Sequence, residues 1–157
     1  MLVPAFTGWG TPYWDPNARG LLIGLTRDSK KGHIARAALE GIALSVSTLV
    51  GLAQQALGNE LGELAVDGGA AASDLLLQSQ ANSTGLNIRR PSNIEITAKG
   101  AALLAGLESG AITDLRQQIN STADRDEIFT PKIDSKERDT ILSRWDNAVK
   151  RSLNWHA

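Results

Sequence analysis

Residues 66–74 read VDGGAAASD. An apolar run, ELAVD at 63–67, ends in Asp67-Gly68-Gly69, and a helix-like run follows from Ala72 to Thr84. The order is therefore strand, glycine turn, helix. Unpaired backbone N–H groups at the start of a helix, together with the helix dipole, favour a phosphate or a polar nucleotide edge. Glycine there removes the side chain that would block a ligand's approach. Asp-Gly-Gly is also a common strand-to-helix turn, and by itself the stretch leaves both readings open.

The same alternation continues on either side. GLLIGL at 20–25 predicts a short buried strand. Gly32–Leu57 predicts a long helix, with Leu39, Ile42, Val46, Val50, Ala53 and Leu57 on one face and Gly58 as its C-terminal cap. Gly41 and Gly51 lie inside that helix and each costs about 1 kcal/mol against alanine, which points to close packing on a neighbour. In the helix Ala72–Thr84, Leu75, Leu76 and Ser79 share a side. Leu86–Arg90 predicts a further strand, stopped by Pro91. Thr97 is expected to cap the small-residue helix AKGAALLAGLES, which Gly110 ends. That helix suits either a tightly packed core or a connection between domains near a hinge. Asp134 with Glu137 resembles a capping box, opening a last helix whose apolar face is Ile141, Trp145, Val149 and Leu153. The order β-α-β-α-β-α with a helical tail places the chain in the α/β class.

The chain has 157 residues, 42% hydrophobic and 21% charged, enough apolar content for a buried core. A net charge of -1 argues against a nucleic-acid or anionic-membrane surface as the main business. The absence of cysteine excludes disulfides and thiolate metal sites. His33 and His156 are too far apart in sequence to share metal-ligand spacing. With no basic-then-apolar leader after Met1 and no long uninterrupted apolar run, a cytoplasmic protein is expected. LVPAFTGWG is apolar and aromatic from the outset, as if the chain were entered midway.

Residues 3–19 are dense in proline, glycine and aromatics, and Phe6, Trp9, Tyr13 and Trp14 mark an ordered loop rather than a flexible linker. Asp15 and Arg19 in that loop are expected to hold the loop itself. Arg27, Asp28, Lys30 and Lys31 read as a solvated turn, and His33 as a surface or packing residue. No Ser–His–Asp set, Walker-type lysine loop or pair of carboxylates with a common site is evident.

Taken together, the motifs resemble the FGGY family of carbohydrate kinases. GLLIGL, a seven-residue spacer and HIARAALE, residues 20–40, are similar to the family's second signature. VDGGAAASDLLLQSQANSTG, residues 66–85, resembles its adenosine-binding motif, and EITAKGAALLAGLESG, residues 95–110, its second connecting helix. Within the family, VPAFTGWGTPYWDPNARG is most like the members that phosphorylate glycerol and less like xylulose and gluconate kinases. The tail agrees through FTPKI, Glu137-Arg138, and Trp145 followed by the run ending SLNW.

The resemblance implies the C-terminal domain of an actin-like (ribonuclease H-like) ATPase fold, incomplete here. Residues 1–130 would form that domain without its first strands, and residues 131–157 its helical tail. It implies ATP with Mg²⁺ and transfer of the γ-phosphate to the primary C3 hydroxyl of glycerol, giving sn-glycerol 3-phosphate. It implies nucleotide contact at Gly69 and Ser73, with Gly68 and Ala70 completing the wall beside the adenosine. The family often has asparagine where this chain has Ser73, which reaches less far. The phosphate-binding hairpins, glycerol-binding residues and catalytic aspartate of the family all lie upstream of what is present, so neither Asp15 nor Asp67 is assigned as catalytic base. Expected partners are ATP or ADP, glycerol only through the missing portion, and either further copies of the chain or a complementing kinase fragment. Isolated, the chain is expected to be inactive. A non-catalytic interaction module or a truncated relic of a related sugar kinase is the alternative.

Overall fold

The computed structural model describes residues 1–121 and 126–155, and His156 lies outside them. Two short strands, β1 (Leu2–Val3) and β2 (Leu21–Leu22), pair antiparallel. Helix α1 (Lys31–Leu57) follows, then β3 (Glu63–Ala65), a 3-10 turn at Gly69–Ala72 and α2 (Asp74–Thr84). The chain continues through β4 (Asn87–Arg90), α3 (Ile96–Glu108), α4 (Leu115–Ser121), β5 (Glu127–Phe129) and α5 (Ser135–Ser152). β3 and β4 are parallel, with Leu64 opposite Ile88, and β5 joins β4 antiparallel, with Phe129 opposite Ile88.

The strand expected at 20–25 is only two residues long, and it pairs with β1 rather than with the β3–β4–β5 sheet. β1 and β5 have no counterpart in the sequence expectation. Strands of two and three residues are too short to show a periodicity.

The expected helices are all present, with shifted details. α1 starts one residue early, and its C-terminus is capped by Gly58 at φ 68° as expected. Its buried face is a different one: Ala37, Gly41, Ala43, Leu44, Ser47 and Val50. Of the six residues expected to face inward, only Val50 is buried; Ile42 and Leu57 are exposed. The helix is apolar almost all round, and small residues win the contact because they let another backbone come close. Gly41 is such a point, since a Cβ there would run into the Leu2 carbonyl oxygen. At Gly51 nothing described lies within 4 Å of the added Cβ position. By length and composition α1 could cross a membrane. Here it packs on α2 and β1, and Ser47 Oγ donates to the Ser83 carbonyl at 2.8 Å.

α2 begins at Asp74, two residues later than expected, and buries Leu76, Leu77, Gln80, Ala81 and Ser83; of the side expected from Leu75, Leu76 and Ser79, only Leu76 is buried. Leu77 and Ala81 pack on Ile88, with Leu64, Val66 and Phe129 around them. α3 opens at Ile96 with Glu95 as N-cap, so Thr97 lies inside its first turn and does not cap it. The Asn93 side chain accepts the Glu95 N–H at 2.9 Å and shapes that start. No residue of α3 is buried among the described residues.

α5 opens as expected on Asp134, whose carboxylate accepts the Glu137 N–H at 2.8 Å. Its Trp145 and Val149 are fully enclosed with Val3, Ala5, Ala18 and Leu44. Trp145 Nε1 donates to Thr48 Oγ1 at 3.0 Å, tying α5 to α1. Trp9 stands edge-on to both Tyr13 and Trp145, at 5.5 and 6.2 Å between ring centroids, and donates to Ser152 Oγ at 3.2 Å. The aromatic loop is thus fastened to α5 by Trp9 and Tyr13, while Phe6 and Trp14 stay exposed.

Candidate functional site

β3 ends where the ladder does. Val66 still donates to the Arg89 carbonyl at 3.0 Å, and two residues later Gly68 turns the chain at φ 81°, a region that glycine enters without strain. The Gly68 N–H donates to the Ile94 carbonyl at 2.8 Å, which ties the turn to the loop before α3. The 3-10 turn then carries the chain to Ser73, closed by Ala71 N–H to Gly68 carbonyl at 3.0 Å and Ser73 N–H to Ala70 carbonyl at 3.1 Å.

Ser73 is the N-cap of α2, and its Oγ accepts the Leu76 N–H at 3.3 Å. The hydroxyl proton is left to donate elsewhere. Asp74 places a negative charge in the first turn, where the helix dipole favours it. Gly68, Gly69, Ala70 and Ser73 therefore lie along one continuous turn, but the glycines enter a 3-10 turn and not α2 directly. The N–H groups of Gly69 and Ala70 have no acceptor among the described residues. Both residues are exposed, and a Cβ at Gly68 or Gly69 would meet nothing within 4 Å. The turn thus presents open backbone and two free donors, a fit for a polar nucleotide edge.

An open cleft of about 480 Å³ lies beside the turn, lined by Ala72, Arg90, Pro91, Ser92, Ile94 and Glu127. Sequence reasoning did not single out Arg90. Its guanidinium donates to the Ala71 carbonyl at 2.9 Å, pairs with Asp74 at 2.8 Å and with Glu127, and lies 5.1 Å from the Phe129 ring centroid. The available signal was a pair of arginines at the end of the strand expected at 86–90, where charge that becomes enclosed needs partners.

The remaining candidates serve structure. The Asp15 carboxylate accepts backbone N–H groups from Asn154 at 2.6 Å and Asn17 at 2.8 Å. The Asn154 bond, first, and the Asn17 bond hold its carboxyl below the usual carboxylate range. Arg19 donates to the Pro16 and Ala18 carbonyls. Both hold the loop, each through backbone rather than through the other. His33 Nδ1 accepts the Lys30 N–H at 3.2 Å at the start of α1. Asp67 is exposed at the turn. Among the described residues no three His, Cys, Asp or Glu side chains gather as a metal site.

Known proteins match nearly the whole chain. It is 47% identical over 153 residues to the glycerol kinase of Shewanella woodyi, covering 98% of this chain and 31% of that protein. It is 45% identical to glycerol kinase 2 of Sulfolobus acidocaldarius, with 98% and 31% covered. The chain spans about 31% of the length of these relatives. In structure it is similar to Plasmodium falciparum glycerol kinase, solved with ADP, at a TM-score of 0.83 and 34% identity over 98% of this chain and 30% of that one. Similarity to the Lactobacillus acidophilus xylulose kinase is lower, at a TM-score of 0.67 and 28% identity, with 100% and 32% covered. These matches agree with the fold expected from the motifs, part of an actin-like ATPase. Residues 1–109 match the C-terminal domain of the FGGY family of carbohydrate kinases, and the chain belongs to that family.

Proposed function

We propose that this chain is the adenosine-side portion of an ATP-dependent glycerol kinase. In the whole enzyme the γ-phosphate of ATP passes to the primary hydroxyl of glycerol, giving sn-glycerol 3-phosphate. Gly69 and Ser73 touch the nucleotide, and Gly68 and Ala70 complete the wall. The supporting observation is the open turn at 68–73, with two free N–H donors and a serine hydroxyl, in a chain that superposes on an ADP-bearing glycerol kinase. This chain's residues bind and orient; positioning and charge neutralisation are most of what phosphoryl transfer requires. Mg²⁺ would accompany the nucleotide, but the described residues offer no carboxylate cluster to hold it, so its ligands and the catalytic base belong to the rest of the kinase. We place the protein in the cytoplasm with its nucleotide.

The rest of such a kinase is also the partner that the surface fits. Among the described residues β3 has a strand on one side only, and Ile34, Ile42, Leu49 and Leu57 recur along an exposed stripe of α1. α3 adds a helix with no buried residue and Leu104 exposed. An open strand edge and exposed apolar helix faces both seek further strands and helices.

Calorimetric titration of ADP into the 157-residue chain tests the nucleotide assignment. Binding is expected and is expected to disappear in Gly69→Asp, where a carboxylate would fill the approach. Equal affinity in both chains would remove the turn from the site. Glycerol-dependent ADP formation is expected only when the remainder of a glycerol kinase is supplied; turnover by this chain alone, above the Gly69→Asp control, would overturn the division of labour.

A further inference from the structure

Arg90 connects four pieces of backbone. It belongs to β4, donates to the Ala71 carbonyl within the 3-10 turn, pairs with Asp74 at the first residue of α2, and meets Glu127 and Phe129 on β5. Its side chain is 16% exposed, whereas the Asp74 side chain is 72% exposed. The guanidinium is therefore mostly enclosed, with its fork satisfied on both sides. Ala71 lies between Gly69 and Ser73, and Asp74 follows Ser73. The two contacts therefore grip the turn between and just beyond the proposed nucleotide-contacting residues.

We infer that Arg90 is a positioning residue for the nucleotide site: it fixes the spacing between the glycine turn and the start of α2 without touching the nucleotide itself. The inference rests on the nucleotide assignment above for its functional half only. Arg89 provides an internal control. It is the next residue on the same strand, carries the same charge, and pairs with Glu63 at 2.6 Å and Asp126 at 3.0 Å, with no bond to the turn. General loss of sheet electrostatics would affect both arginines; positioning of the turn would affect only Arg90.

The experiment compares the 157-residue chain with Arg90→Gln, Arg90→Lys, Asp74→Asn and Arg89→Gln, using ADP affinity and site-resolved amide hydrogen exchange. Arg90→Gln is expected to weaken ADP binding about tenfold and to speed exchange at Ala71–Leu77, with α5 unchanged. Arg90→Lys keeps the charge but loses the fork, so an intermediate effect is expected. Asp74→Asn removes an exposed arm and leaves the enclosed guanidinium, so it reads the same contact even if Arg90→Gln fails to fold. Its effects are expected at the same amides, and smaller. Normal ADP affinity and normal exchange in the Arg90 and Asp74 variants would overturn the inference, as would equal effects from Arg89→Gln. If the unaltered chain binds no ADP, the nucleotide assignment fails and the claim that Arg90 positions that site fails with it. Exchange at Ala71–Leu77 then still reports separately whether Arg90 braces the turn.

Discussion

The carbonyl oxygen of Leu2 occupies the space that a side chain on Gly41 would need. β1 runs across α1 at this point because the helix surface there has no Cβ. Gly41→Ala is therefore expected to destabilise the chain by about 1–3 kcal/mol through overpacking, although alanine is the better helix former. Gly51 sits in the same helix with an open surrounding, so Gly51→Ala is expected to stabilise by about 0.5–1 kcal/mol. Thermal or urea unfolding of the two variants should give shifts of opposite sign. Two shifts of the same sign would mean that β1 does not approach the helix this closely.

Ser73 caps α2 and, in the function proposed above, also contacts the nucleotide, and substitution can separate the two. As N-cap it accepts the Leu76 N–H, so Ser73→Ala is expected to cost about 1 kcal/mol of stability. Asparagine caps as well as serine but reaches further. Ser73→Asn should leave stability within about 0.5 kcal/mol and tighten ADP binding roughly fivefold if it adds one hydrogen bond. Unfolding curves and ADP titration on the same samples check both. Tighter binding in Ser73→Ala would show that the hydroxyl faces away from the nucleotide.

Asp15 joins the aromatic loop to the end of α5 through its bond from the Asn154 N–H. Its folded carboxyl sits below the ordinary value of about 3.9, because the charged form accepts those backbone donors. A depressed carboxyl gives stability that is fully present above the unfolded value and is lost as pH falls through the folded one. The loop and helix end should therefore stay joined at neutral pH and loosen below about pH 4. Indole fluorescence, with the half-buried Trp9 edge-on to Tyr13 and Trp145, offers a readout. In Asp15→Asn this acid transition should shrink. An unchanged transition would assign it to other carboxylates.

The fold class was legible because the chain punctuates its long elements clearly. Gly58, Gly85 and Gly110 stand at or just past helix ends with φ of 68°, 75° and 74°, and Asp134 opens α5 with the cap its type suggests. The turn at 66–74 was legible for the same reason, since paired glycines between a strand and a helix supply the positive φ that a tight turn needs, as Gly68 does at 81°. What stayed hidden depends on tertiary contact. The value of Arg90 comes from Ala71, Asp74 and Glu127, which meet only once the chain is folded. β5 carries three residues and no pattern, and it exists because Ile88 and Phe129 share the cover of α2.

α1 shows how periodicity can select a real face and misassign it. The large apolar residues of the helix do recur at helical spacing, but the stripe through Ile42 and Leu57 is exposed, while Ala43, Leu44 and Ser47 make the contact. Such a stripe is a packing surface still open. Leu49, 49% exposed, lies on it. In the isolated chain the stripe should drive concentration-dependent association, alongside the free edge of β3. Leu49→Glu is expected to shift sedimentation toward monomer while changing unfolding free energy by no more than about 0.5 kcal/mol, as for a surface position. Ala43→Glu, one helical face away and fully enclosed, should instead prevent folding by burying an unpaired carboxylate. If, as proposed, the remainder of a glycerol kinase covers this same face, the Leu49→Glu chain should also fail to restore glycerol-dependent turnover when mixed with that remainder. If Leu49→Glu disperses the aggregates yet complements normally, the remainder docks elsewhere, and the β3 edge or α3 becomes the surface to alter next.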